Sequence, residues 1–121
     1  EVTCFNKNAI DSLKNIGFKI TTNQESSNPV FHVFYGEDLF TPCFSKLIND
    51  PVNPNENFAA IMTCSDADEK CPFIPNAAAR ISTTYEDPKI FDGLQNVDLV
   101  YTERFSKILR ETLFAFSKIA K

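Results

Sequence analysis

Phe58-Ala59-Ala60-Ile61-Met62-Thr63-Cys64-Ser65-Asp66-Ala67-Asp68-Glu69-Lys70-Cys71-Pro72 is the stretch on which the reading of the fold turns. Its first six residues are apolar without alternation, the pattern of a strand covered by helices on both faces, and this predicts a parallel sheet. Two thiols then follow, seven positions apart across a short acidic loop at the strand end, a placement that suggests thiol chemistry rather than packing. Seven residues of α-helix would hold Cys64 and Cys71 about 10 Å apart, whereas a disulfide needs Cα atoms roughly 4.4 to 6.8 Å apart. A helical reduced loop must therefore unwind on oxidation, and its many polar residues make local opening inexpensive. The plainer reading is a pair of buried, inert thiols, because free cysteine is often buried.

Outward from this stretch the elements alternate. Asn6 is a good helix N-cap, Ala9, Ile10, Leu13 and Ile16 recur at helical spacing, and Gly17 supplies a stop, which predicts a helix over 7–16. Residues 18–21 read as extended and 22–29 as a polar loop. The β-branched and aromatic run 30–35 reads as a strand, with His32 a core or edge histidine rather than a catalyst. Residues 36–57, with Pro42, Pro51 and Pro54, read as a packed irregular insertion holding one helical turn. A weaker strand covers 80–83, and Asp87-Pro88 opens a new segment, proline fitting a helix start. From 97 to 120, Tyr101, Phe105, Ile108, Leu109, Thr112, Leu113, Phe116 and Ile119 fall at three- and four-residue steps with charged residues between them. That is an amphipathic helix whose aromatic stripe is expected to be core. A helix, three strands and a closing helix describe a single α/β layer domain over 1–121, in which ligands sit beyond the carboxyl ends of the strands, where Cys64 lies.

Composition narrows the function classes. With 121 residues, 43% hydrophobic and 23% charged, the chain is an ordinary globular domain in size and kind. A net charge of -4 with 12 scattered basic residues leaves no basic stripe for nucleic acid. No apolar run approaches a membrane span and the first residues do not resemble a signal peptide, so a cytoplasmic setting is expected. Cys4, Cys43, Cys64 and Cys71 allow three disulfide connectivities, but a chain of this size with no Asn-x-Ser/Thr sequon is expected to keep them reduced. With no Cys-x-x-Cys pair and His32 the only histidine, no zinc site and no cofactor is expected.

Met62-Thr63-Cys64-Ser65-Asp66-Ala67-Asp68-Glu69-Lys70-Cys71-Pro72-Phe73-Ile74-Pro75, followed by Tyr85-Glu86-Asp87-Pro88, resembles the thioredoxin-coupled arsenate reductases, which belong with the low-molecular-weight protein tyrosine phosphatases. Residues 6–10 and 17–20 look like that family's second helix and the segment after it. The resemblance implies an α/β fold with a three-layer parallel sheet, and reduction of arsenate by a thiol relay. In it, Cys64 matches the relay thiol, Cys71 the final thiol of a disulfide reduced by a thioredoxin-like partner, and Asp87 the general acid. The family's first strand and its Cys-x5-Arg loop, which holds the arsenate or phosphate oxyanion, have no counterpart here, since no cysteine is followed by arginine six positions on. Arg80, Arg104 and Arg110 are poor substitutes, the last two on a helix face expected to be exposed. The resemblance thus implies a fold truncated at the N-terminus. Because that strand would lie between two others, its absence implies a separate N-terminal segment or a strand-exchanged homodimer. Two other classes stay open. One is a phosphatase that uses Asp87 as acid and the cysteine pair as redox protection; the other is a noncatalytic binding module.

Overall fold

The computed structural model describes residues 2–70 and 73–119. The chain is mixed α/β and divides into two compact units, Glu1–Lys46 with Pro88–Lys121, and Leu47–Asp87.

In the first unit the predicted early helix is α1, Lys7–Asn15. Asn6 Oδ1 accepts from the backbone amides of Asn8 (2.8 Å) and Ala9 (3.2 Å), satisfying donors that a helix start leaves unpaired. Gly17 ends it at φ 106°, a conformation that carries no Cβ penalty only for glycine. Strands β1 (Lys19–Thr21), β2 (Phe31–Phe34) and β3 (Phe40–Cys43) form an antiparallel sheet in that order. Parallel pairing was not open to them, because the links 22–30 and 35–39 are shorter than the dozen or more residues a parallel crossover needs. The strand β3 replaces the irregular start expected of 36–57. Pro42 argues against a strand in sequence, but β3 is an edge strand, where a missing N–H need not break the ladder. His32 pairs in register with Pro42 and its ring centroid lies 4.5 Å from that of Phe40, so it is a half-buried histidine on the central strand, packed on an aromatic.

After a 3-10 turn at Pro88–Phe91, which proline opens as expected, comes α3, Val97–Ile119, the helix predicted over 97–120 as far as it is described. Its first turns pack on α1, and Tyr101 is buried there. The Tyr101 hydroxyl donates to Asp92 Oδ1 (2.9 Å), which also accepts from Asn8 Nδ2 (2.8 Å), while Asn6 Nδ2 donates to Asp92 Oδ2 (3.2 Å). The aromatic stripe does not continue as core, however: Leu113 is 61% exposed, Phe116 64% and Ile119 73%. Length explains this, since nine residues of α1 span about 14 Å and cannot cover the roughly 34 Å of α3.

The second unit is a strand, helix, strand unit: β4 (Phe58–Met62), α2 (Ser65–Lys70) and β5 (Ala77–Ser82). The two strands pair in parallel, the pairing expected for the 58–63 run. Asn57 (φ 57°) and Asn76 (φ 62°) take left-handed conformations directly before each strand, which asparagine tolerates better than most residues. Ala60, Met62 and Ile74 form the buried cluster, with Phe58, Ala67 and Ala77 packed around it. Burial alternates along β4, so the expectation that both faces are covered is corrected: Ile61 is 49% exposed, as is its register partner Ile81 at 46%. Parallel pairing is thus limited, among the described residues, to β4 and β5.

Candidate thiol site at the carboxyl end of the parallel pair

Cys64 stands where the chain leaves β4 and enters α2. Its carbonyl accepts from the amide of Asp68 (3.0 Å) and its Sγ from the amide of Ala67 (3.4 Å), so the residue caps the helix. The thiol is free and half-buried. Beyond β5 the pairing continues irregularly: the Thr83 amide donates to the Met62 carbonyl (3.0 Å) and that of Tyr85 to Thr63 (2.9 Å). Because Thr63 adjoins Cys64 and Tyr85 lies two residues before Asp87, the chain brings Cys64 and Asp87 to one end of the strand pair. Cys71, the third residue singled out in sequence, lies outside the described residues.

Between the two thiol positions, α2 has no fully buried residue. Lys70 Nζ bonds Asp66 Oδ2 at 2.6 Å across one turn, which raises the Lys70 pKa through that hydrogen bond and the accompanying charge attraction. Asp68 is tied to β5. Arg80 Nη2 reaches both the Asp68 carboxylate (2.6 Å) and the Asp68 carbonyl (2.6 Å), and the Ser82 hydroxyl donates to the same carboxylate. The hydrogen bond from Ser82, assisted by the Arg80 guanidinium, holds the Asp68 carboxyl below the usual carboxylate range.

Sequence reasoning weighed Arg80 only as an oxyanion ligand and overlooked its partner. The available signal was the i, i+2 spacing of Arg80 and Ser82, which places both on one face of a strand, opposite an acid in the preceding loop. Arg104, expected on an exposed face, is instead partly buried, with its Nε out of contact with solvent. The remaining described cysteines belong to the first unit. Cys4 is exposed, and burial pushes the Cys43 thiol pKa up, which keeps it protonated and poorly nucleophilic.

A cavity of about 420 Å³ opens at the other, amino-terminal end of β4, floored by Phe58 and Ile74 and rimmed by Asn49, Asp50 and Asn55. It is separate from the thiol end. Among the described residues no group of three or more metal-ligating side chains converges, and no helix is long and apolar enough to cross a membrane. No family model, curated protein or solved structure matches the chain.

Proposed function

We propose that residues 1–121 carry the relay half of an arsenate reductase related to the low-molecular-weight tyrosine phosphatases. The observation that carries this reading is Cys64 at the carboxyl end of β4, capping a short helix that precedes Cys71 in sequence, with the Tyr85 amide bonded to the Thr63 carbonyl two residues before Asp87. The oxyanion is bound by a Cys-x5-Arg loop that lies outside these residues. Its thiolate displaces an oxygen of arsenate, and Asp87 protonates the departing oxygen. The Cys64 thiolate then attacks the sulfur of that adduct. A disulfide forms, the electron pair of the S–As bond passes to arsenic, and arsenite leaves. Cys71 attacks Cys64 in turn, freeing the first thiol and closing a Cys64–Cys71 disulfide. In net terms arsenate takes two electrons, two thiols become one disulfide, and a thioredoxin-like dithiol restores them.

In this reading β4 and β5 belong to the three-layer parallel sheet of that family, from which the antiparallel β1, β2 and β3 depart. The parallel β4 and β5 pair supports it, as do Ile61 and Ile81, left exposed on the face of a strand pair that a further strand and helix layer would cover. The added strand comes from a preceding segment or from a second copy of the chain. In the protein that joins these residues to its Cys-x5-Arg loop, Cys64→Ser is expected to lower arsenate turnover by about three orders of magnitude while phosphate-ester hydrolysis persists. Arsenate turnover that survives Cys64→Ser would remove the relay reading; a parent that hydrolyses phosphate esters without reducing arsenate would be a phosphatase, and one that does neither a noncatalytic module.

A further inference from the structure

We propose that Arg80 and Ser82 are positioning residues that act through Asp68 as a latch, setting how readily the Cys64–Cys71 loop opens to form its disulfide. The six residues of α2, Ser65–Lys70, rise about 9 Å, more than the roughly 4.4 to 6.8 Å that a disulfide allows between Cα atoms, so pairing Cys64 with a thiol that follows α2 in sequence requires the helix to open. Six residues are too few for a helix to persist on its own propensity in water. Since α2 has no fully buried residue, much of what fixes it in place is polar. Asp68 is central to that hold. Its carboxylate and its carbonyl are both gripped from β5, with Arg80 and Asp68 side chains only 27% and 31% exposed, which shields the pair from much of the solvent screening that weakens surface ion pairs. The contrast within the same helix is Lys70 and Asp66, at 71% and 73% exposed, which join one turn of α2 to another. Opening the loop means withdrawing Asp68 from Arg80 and Ser82, and with it the Ala67 amide from the Cys64 sulfur.

The latch rests on the relay reading for the meaning of the disulfide, but its geometry stands apart from it, and two rates separate the claims. The first is Cys64–Cys71 disulfide formation with diamide, whose azo group accepts the two protons and two electrons that the thiols give up as the S–S bond forms. The second is alkylation of the Cys64 thiol by iodoacetamide, resolved by peptide mass. Arg80→Ala is expected to speed both about fivefold and Ser82→Ala about threefold, with Arg80→Lys returning close to the parent rate and Lys70→Ala accelerating neither. Ser82→Ala removes a single hydroxyl and decides the matter should circular dichroism show Arg80→Ala unfolded. Unchanged alkylation and disulfide rates in Ser82→Ala and Arg80→Ala would overturn the latch, as would an equal acceleration in Lys70→Ala. Failure of the parent chain to form a Cys64–Cys71 disulfide would remove the relay reading, with the alkylation rates still deciding the latch.

Discussion

Asp92 shows how much one side chain organises. It receives hydrogen bonds from Asn6, Asn8 and Tyr101, joining the cap of α1, its first turn and the start of α3. Tyr101 above all, then the two asparagines and the charge of Lys89, hold its carboxyl below the usual carboxylate range. A carboxylate depressed in the folded state contributes stability that is complete above its unfolded pKa, near 4, and is lost as pH falls through the lower folded value. Asp92→Asn is therefore expected to lower the melting temperature by a few degrees at pH 6, and the gap between variant and parent should close as the pH approaches 2. Thermal melts across that range check it. A gap that stays constant with pH would show that the charge on Asp92 is not what matters.

At the scale of elements, α3 is the clearest case of a helix whose sequence pattern and packing part company. Its period was legible because apolar residues recur at three- and four-residue steps, but a period reports only which side is apolar, not what lies against it. With Leu113 61% and Phe116 64% exposed, the double replacement Leu113→Gln, Phe116→Gln is expected to change unfolding free energy by less than about 1 kcal/mol in this chain. A chemical denaturation curve shifted by several kcal/mol would mean that the stripe is covered. The capped α1, the aromatic β2 and the apolar β4 were equally legible, since Asn6, Gly17 and runs of β-branched and aromatic residues act locally. What escaped was set at a distance. The strand β3 depends on an edge position that excuses Pro42, and Asp92 meets residues more than 80 positions earlier. The Asp68 latch, likewise, joins residues 12 and 14 positions apart.

At the scale of the whole molecule, the sequence proposes a site of two thiols and an acid, Cys64, Cys71 and Asp87. The structure adds that the chain two residues before Asp87 is tied next to Cys64, through the amide of Tyr85 on the carbonyl of Thr63. The other described cysteines, Cys4 exposed and Cys43 kept protonated by burial, belong to the other unit. A thiol relay requires that oxidation choose among four cysteines. The most direct measurement is peptide mapping of the chain after one equivalent of diamide, with unreacted thiols alkylated first. The relay account predicts a Cys64–Cys71 disulfide as the dominant linkage, with Cys4 and Cys43 recovered alkylated. Recovery of Cys64 as the free alkylated thiol, or linked mainly to Cys4 or Cys43, would contradict it.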